Sequence, residues 1–247
     1  MNRPLIGICT DHVDCVTPGG KDRSYLKLYP AYVQSVIAAG GIPLVLPVVD
    51  DIADIAPLLK SVSGVVMIGA DDYPPQWYGG KPHPKEEYCT PQRASFDRAL
   101  AAYLFDHTDL PLLLICGGMQ LACILSGGAM EQHLPDLPGR VEHRDFRDQP
   151  QTTSHPIKID TGSLLHRALG VAGTTVNSMH HQACLNPGPR LRVSAWATDG
   201  TIEALEFRDH RWRVGTQWHP ERMGSDAVMP NLWNAFVAAA GNQSLSP

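Results

Sequence analysis

The chain has 247 residues, of which 43% are hydrophobic and 18% charged, so it can bury enough surface to offset its ordering entropy and is not disordered. A net charge of −5 without a basic stretch argues against nucleic acid as a partner. No apolar run approaches the roughly 18 residues that span a bilayer, and the N-terminus lacks a signal-peptide pattern. Six scattered cysteines without a Cys-x-x-Cys pair favour reduced thiols. We therefore expect a cytoplasmic protein with no membrane partner.

Short apolar runs alternate with helical patterns in the first half of the chain. The pattern predicts strands at 5–9, 44–46, 64–68 and 112–115, and helices starting near Pro30, between Ile52 and Leu59, and around 96–104. Strands that are apolar throughout and alternate with helices are typical of a mostly parallel central sheet covered by helices on both faces.

The sequence pattern changes after about residue 139. Short strands are predicted at 156–159, 193–197, 202–207 and 212–216, separated by turns, and a helix at 231–240 follows them. This pattern predicts a smaller antiparallel strand region. The fold class is therefore α/β, and we expect residues 1–247 to form a single domain.

An apolar strand leads directly into Cys116, Gly117 and Gly118, and a helical pattern follows. A residue on such a tight strand-to-helix turn projects its side chain above the sheet edge, as a catalytic nucleophile does. The N-terminus of the following helix favours a thiolate at that position. We predict that Cys116 is a nucleophile; the structural alternative is a buried core cysteine beside a glycine-rich turn.

A histidine and a carboxylate lie two residues apart in segment 215–221, Gly-Thr-Gln-Trp-His-Pro-Glu. Pro220 favours an extended conformation at His219, and in an extended segment residues i and i+2 point to the same side. Glu221 would then orient the His219 imidazole while the other ring nitrogen faces Cys116. A surface turn would explain His-Pro-Glu alone, but beside the cysteine this segment supplies a base and its orienting carboxylate.

Two weaker features complete the candidate site. Ala70 follows the third predicted strand, and parallel strands end at one sheet edge, so the N–H groups of Ala70 and Gly117 could share an oxyanion. Segment 176–182, Val-Asn-Ser-Met-His-His-Gln, is polar and rich in histidine. Zinc needs several ligands at defined spacing, and the adjacent His180 and His181 would point different ways, so we expect no metal.

Together these segments resemble the class I glutamine amidotransferase superfamily, whose motifs are Cys-x-Gly-x-Gln and, later, His-Pro-Glu. They are most similar to the stand-alone γ-glutamyl-γ-aminobutyrate hydrolase family. The motifs of that family occur here in the same order, at 69–79, 176–182, 199–204 (Asp-Gly-Thr-Ile-Glu-Ala) and 215–221. The resemblance runs from Pro4 to about Arg222 and implies a flavodoxin-like amidotransferase fold.

The resemblance also implies an activity, which is hydrolysis of the γ-glutamyl amide bond of a small amine or amino acid without a cofactor. Cys116 would attack the amide carbon and form a thioester, His219 would move the proton, and Glu221 would hold His219. Ala70 and Gly117 would form the oxyanion hole.

The same resemblance suggests substrate contacts. Gln120 and the backbone of Ser178, Met179 and His180 would hold the α-amino and α-carboxylate groups of the γ-glutamyl substrate. A homodimer is a possible assembly. The loop between residues 71 and 92 carries both acidic and basic side chains, and with Arg93 next to it, the charge of the leaving group stays open.

The chain departs from the hydrolase family at several positions near the nucleophile. The family usually has arginine where this chain has Gly117, a small residue at Leu114, and glycine at Ala70; Leu121 and Cys123 also replace polar residues. These departures remove charged and polar groups. They keep open the alternative of a catalytically silent relative that binds a γ-glutamyl metabolite. A second alternative, from within the superfamily, is an amidotransferase subunit that passes ammonia to a separate synthase, although segment 176–182 fits the hydrolases better.

Overall fold

The structure is a computed structural model that describes residues 3–144, 153–209 and 211–242. The strands are β1 Leu5–Cys9, β2 Asp11–Val16, β3 Asp22–Lys27, β4 Ile42–Leu46, β5 Gly64–Met67, β6 Leu112–Ile115, β7 Ala129–Glu131, β8 Thr153–Ile159, β9 Gly173–Ser178, β10 Ala183–Asn186, β11 Leu191–Ala197, β12 Ile202–Phe207 and β13 Arg213–Thr216. The α-helices are α1 Pro30–Ala38, α2 Ala56–Ser61, α3 Pro91–His107, α4 Gly117–Leu125, α5 Leu164–Leu169 and α6 Pro230–Gly241. Short 3-10 helices cover Ile52–Ile55, Pro75–Tyr78, Leu134–Asp136 and Pro220–Arg222.

One nine-stranded sheet organises the molecule, in the order β4-β1-β5-β6-β13-β12-β11-β8-β9. The pairs from β4 to β13 are parallel, and those from β13 to β9 are antiparallel. The α/β fold class is confirmed. The antiparallel strands continue the parallel sheet, and the change of direction falls at β13, in its middle.

Burial explains why the central strands form. Every residue of β5, β6 and β13 is buried, as expected for parallel strands covered by other elements. Helix α6 packs on β5, where an added Cβ on Gly64 would lie 3.2 Å from Ala240 and Phe236. Helix α4, which follows β6, is buried along its first eight residues.

Several elements were not predicted from the sequence. These are the β2–β3 hairpin, the small β7–β10 sheet, strand β9 and helix α5. The hairpin is polar and largely exposed, so it has no apolar alternation for the sequence to reveal. All six cysteines are free thiols, as expected. In the described part of the chain, no helix combines the length and apolar character needed to cross a bilayer.

Candidate active site

Cys116 occupies a strained turn between β6 and α4. Its backbone has φ 48° and ψ −102°, the only positive φ of a non-glycine residue among those described. Its N–H donates to the carbonyl of Thr216 on the neighbouring β13, at 2.7 Å. Such strain is commonly kept where a side chain must be aimed for function. The turn therefore has the geometry of a nucleophile elbow.

The backbone after β5 passes very close to this elbow. A Cβ added to Gly117 would lie 2.6 Å from the nitrogen of Ala70, so only glycine allows this approach. A Cβ added to Gly69 would lie 2.9 Å from Cε1 of His219, so this position too must lack a side chain. The ends of β5 and β6 thus meet, and Ala70 and Gly117 lie side by side as the sequence predicts.

His219 and Glu221 form a short hydrogen bond, with 2.7 Å between Nδ1 and Oε1. Both side chains are buried. The structural cause differs from the expected one, because Pro220–Arg222 is a turn of 3-10 helix and not an extended segment. The turn brings Glu221 back onto the ring, and His219 lines the same pocket as Cys116.

The electrostatic surroundings favour a protonated imidazole. Burial alone would lower the pKa of His219, but the negative charges of Cys116, as thiolate, and of Glu221 outweigh it and raise this pKa to about 10. Tyr32 on α1 lies beside the same groups, and burial followed by the charge of Glu221 raises its pKa well above the usual value. Its hydroxyl accepts a hydrogen bond from the Gly69 N–H at 3.2 Å. The Tyr32 phenol therefore stays neutral beside Cys116 and Glu221.

Gln217 contacts the sulfur from behind, which the sequence does not predict. Its side-chain nitrogen is 3.5 Å from Sγ of Cys116. The side-chain nitrogen of Gln120 is 3.4 Å from the Gln217 oxygen and 3.3 Å from the carbonyl of Gln182. Gln217 lies inside the segment of the His-Pro-Glu motif, and this position is the one signal in the sequence that points to it.

A pocket of about 180 Å³ opens in front of the sulfur. It is lined by Asp11, Lys27, Tyr29, Tyr32, Ile68, Gly69, Ala70, Asp71, Cys116, Met179, His219 and Arg222. Among the predicted substrate contacts, Met179 reaches this pocket. Ser178 donates to the carbonyl of His143 at 2.7 Å, and the His180 N–H donates to the same carbonyl at 3.1 Å. The contacts predicted for Gln120, Ser178 and His180 stay predictions.

The charges of the pocket come partly from the hairpin that the sequence did not reveal. Lys27 pairs with Asp11 at 3.1 Å. Burial, with the charges of Asp11 and Glu87, raises the pKa of Asp71. The Arg222 guanidinium lies on the ring of Tyr29, 5.6 Å from its centroid. Both signs of charge therefore face the pocket.

Arg93 and one acidic residue of the loop between residues 71 and 92, Asp72, form contacts away from the pocket. Arg93 is completely buried and donates to Asp97 at 2.5 Å. Asp72 is buried and lies 3.0 Å from Nε2 of His181. Neither faces the pocket. Among the described residues, a metal ion could be held by His143, His155, His180 and Glu203. This group does not include Cys116.

Comparison with known proteins agrees with the fold. The chain is 31% identical to the protein NtpR of Enterococcus hirae, over 95% of this chain and 98% of that protein. It is 29% identical to a γ-glutamyl-γ-aminobutyrate hydrolase of Escherichia coli O157:H7, over 97% and 94% of the two chains. A crystal structure assigned to a GMP synthase subunit from Thermoplasma acidophilum has the same fold, with a TM-score of 0.65, 13% identity, and coverage of 98% and 96%.

These similarities define a protein of the class I glutamine amidotransferase-like type. More particularly, the chain belongs to the peptidase C26 family, whose model matches residues 4–221. The family and its relatives support a hydrolase.

Proposed function

We propose that this protein hydrolyses the γ-glutamyl amide bond of a γ-glutamylated small amine or amino acid through a thioester on Cys116. The observation that carries the proposal is the position of Cys116 on a strained elbow, facing a pocket beside an imidazole that Glu221 holds at 2.7 Å. A buried structural cysteine has no need of this arrangement. The family match and the hydrolase relatives support the same reaction class.

In the first half of the reaction, the Cys116 thiolate attacks the γ-carbonyl carbon, and the carbonyl oxygen takes up the negative charge. The N–H groups of Ala70 and Gly117 donate to this oxyanion; losing one such donor costs about 3–4 kcal/mol in measured systems. The His219 imidazolium then gives its proton to the departing amine as the C–N bond breaks.

In the second half, water attacks the thioester. The now neutral imidazole of His219 takes a proton from the water, and Glu221 stabilises the positive charge that forms on the ring. The carbon–sulfur bond breaks, and the products are glutamate and the enzyme thiolate.

The charges around the pocket suit the zwitterionic end of a γ-glutamyl group. Lys27 is neutralised by Asp11 at 3.1 Å, whereas Arg222 lies 3.8 Å from Glu221, which His219 already holds more closely. Asp71 would therefore take the α-ammonium group and Arg222 the α-carboxylate. Met179 supports the Arg222 guanidinium, with 3.1 Å between sulfur and nitrogen. The role of Gln120, Ser178 and His180 is then indirect: they position backbone segments, and these segments contact the substrate.

The test is a hydrolysis screen with γ-glutamyl derivatives of γ-aminobutyrate, putrescine and several amino acids, and with glutamine. We expect equal release of glutamate and amine, a γ-glutamyl adduct on Cys116 in mass spectra of quenched enzyme, and neither with Cys116→Ala. A reaction confined to glutamine, with ammonia released, would instead identify an amidotransferase subunit. Absence of hydrolysis together with no labelling of Cys116 by a γ-glutamyl chloromethyl ketone would identify a silent relative.

A further inference from the structure

Four buried side chains from distant parts of the sequence converge on one another. His143 precedes β8, His155 lies in β8, His180 follows β9 and Glu203 lies in β12. All four are at most 4% exposed. Each offers one nitrogen or oxygen atom, and these atoms all lie within 4.8 Å of one another. We call this group the histidine cluster.

The three imidazoles surround one carboxylate oxygen. Oε1 of Glu203 lies 3.4 Å from Nδ1 of His143, 3.4 Å from Nε2 of His155 and 3.5 Å from Nε2 of His180. Four ligand atoms bound at about 2.0–2.1 Å to a tetrahedral zinc ion lie about 3.3–3.4 Å apart. The observed separations from Glu203 are therefore those of the edges of a zinc coordination tetrahedron.

Hydrogen bonds on the outer side of the rings fix which nitrogen points inward. Nε2 of His143 lies 3.0 Å from Oδ2 of Asp199, and Nδ1 of His180 lies 2.9 Å from the carbonyl of Gln182. A ring that donates its proton outward presents a lone pair inward. Such outer partners are typical of histidines that bind metals.

Most of the inward-facing atoms lack a hydrogen-bond partner; the exception is Nδ1 of His143, which lies 3.4 Å from Oγ of Ser178. Nε2 of His155, Nε2 of His180 and both carboxylate oxygens of Glu203 have no hydrogen bond among the described residues. Lone pairs that converge on a buried carboxylate repel it unless a cation lies between them. A single proton can bridge only one of the three rings to Glu203, whereas a divalent cation contacts all four ligands at once.

We propose that His143, His155, His180 and Glu203 bind one Zn²⁺ ion in a closed, structural site. Three imidazoles and one carboxylate form a complete tetrahedral ligand set for zinc, with no position open for substrate. A Zn²⁺ ion bound to the Glu203 carboxylate would carry one net positive charge, and the Asp199 carboxylate behind His143 balances it. A backbone contact links the site to the catalytic segment, because the Gln217 N–H donates to the Glu203 carbonyl at 2.8 Å.

The test is to strip the purified protein with a chelator, add Zn²⁺, and measure by mass spectrometry the metal retained after gel filtration. We expect one equivalent per chain, a higher melting temperature with zinc than without, and the visible absorption of tetrahedral cobalt when Co²⁺ replaces it. Glu203→Gln and His155→Ala should lose the retained metal, whereas the exposed His107→Ala should keep it.

Two further variants keep the result unambiguous. Cys116→Ser should retain one equivalent of zinc. This variant tests whether the ion binds to Cys116 and His219 instead, since a thiol and an imidazole can also bind zinc. His155→Cys should add a thiolate-to-cobalt charge-transfer band in the near ultraviolet, which reports direct ligation even if stability falls. The proposal is overturned if the wild-type protein retains no zinc, if Cys116→Ser loses it, or if the cobalt-loaded His155→Cys protein shows no such band.

Discussion

Asn177 binds the main chain of His219 through both ends of its side-chain amide. Its Nδ2 donates to the His219 carbonyl at 2.8 Å, and its Oδ1 accepts from the His219 N–H at 2.8 Å. Asn177 belongs to β9, at the far edge of the sheet from β4. The strand at the far end of the antiparallel half therefore positions His219, which follows the central strand β13.

Replacing Asn177 by alanine should lower kcat for γ-glutamyl amides by about a hundredfold, because a displacement of roughly 1 Å in a reacting group costs about that much. KM should change little, since Asn177 does not line the pocket. Asn231→Ala, in an exposed position on α6, is the matched control and should leave kcat unchanged. Wild-type kcat in Asn177→Ala would show that His219 is held without this contact.

The pH dependence of turnover should reflect the imidazolium of His219. Its pKa is raised to about 10, so the ring carries its proton at neutral pH and loses it as the pH rises through about 10. Without that proton the departing amine is not protonated, and kcat/KM, which reflects the free enzyme, should fall on the alkaline side of pH 10. A fall near the ordinary histidine value of about 6.5 would contradict this ion pair.

Thermal unfolding over the same pH range provides the control. A histidine whose pKa is higher in the folded than in the unfolded state stabilises the fold fully below about 6.5, and this stabilisation is lost as the pH rises through the folded value. His219→Gln should therefore destabilise the protein more at pH 6 than at pH 10.5. Circular dichroism melting curves measure both.

Gly117→Ala should lower kcat by about 10²- to 10³-fold, the cost of displacing one oxyanion donor. The added Cβ would lie 2.6 Å from the Ala70 nitrogen and 2.8 Å from the Ala70 Cβ. Adding Ala70→Gly removes the second clash but not the first, so the double variant should recover only part of the activity. Full activity in Gly117→Ala, measured as initial rates, would exclude the tight contact.

Substrate recognition by charge predicts two effects on KM. Asp71→Asn and Arg222→Met should each raise KM for γ-glutamyl substrates by about tenfold, since each removes a charge-assisted contact worth about 1.5 kcal/mol or more. The γ-glutamyl chloromethyl ketone should also label Cys116 more slowly in these variants. Iodoacetamide, which carries no glutamyl group, should label it at the wild-type rate and serves as the control.

The buried pair Arg93–Asp97 should dominate the stability of the region beside the pocket. Arg93 also donates to the Thr10 carbonyl at 2.6 Å, and Tyr73 donates to Asp97 at 2.7 Å. Arg93→Met should reduce the free energy of unfolding by about 3–5 kcal/mol, because the Asp97 charge stays buried without its partner. Urea denaturation measures this change.

Two comparisons test the cause. Arg93→Met combined with Asp97→Leu should cost less than Arg93→Met alone, because no unpaired charge remains. Arg211→Met, which removes solvent-accessible pairs with Asp109 and Asp209, should change stability by no more than about 1 kcal/mol. Equal losses for the buried pair and the solvent-accessible pairs would exclude burial as the cause.

The sequence predicts the parallel half of the sheet and the elbow well, because their signals are local. The apolar run of β6 followed by Cys116 and two glycines specifies a strand, a turn and a helix within a few residues. The proximity of Ala70 and Gly117 also follows, since adjacent parallel strands end at one edge. Expectations of this kind need no knowledge of distant contacts.

Other features depend on contacts that local patterns do not encode. The approach of Glu221 to His219 was expected for the wrong reason, because a 3-10 turn and not an extended segment produces it. Arg93 is polar in sequence, but Asp97 and Thr10 satisfy it in the interior. The histidine cluster was not predicted, because its members come from separate elements. The sequence argument considered the adjacent pair His180 and His181, whose side chains diverge, and only His180 belongs to the cluster.

The insertion of β13 between β6 and β12 has a consequence for synthesis. Cys116 is translated long before His219. Strand β13, which leads to His219, must insert into the middle of the sheet between β6 and β12, which are both translated earlier. A ribosome-bound or truncated chain ending before β13 would carry an inert thiol. The proposed hydrolysis would then begin only after β13 has docked, because Cys116 and His219 are not brought together before that step.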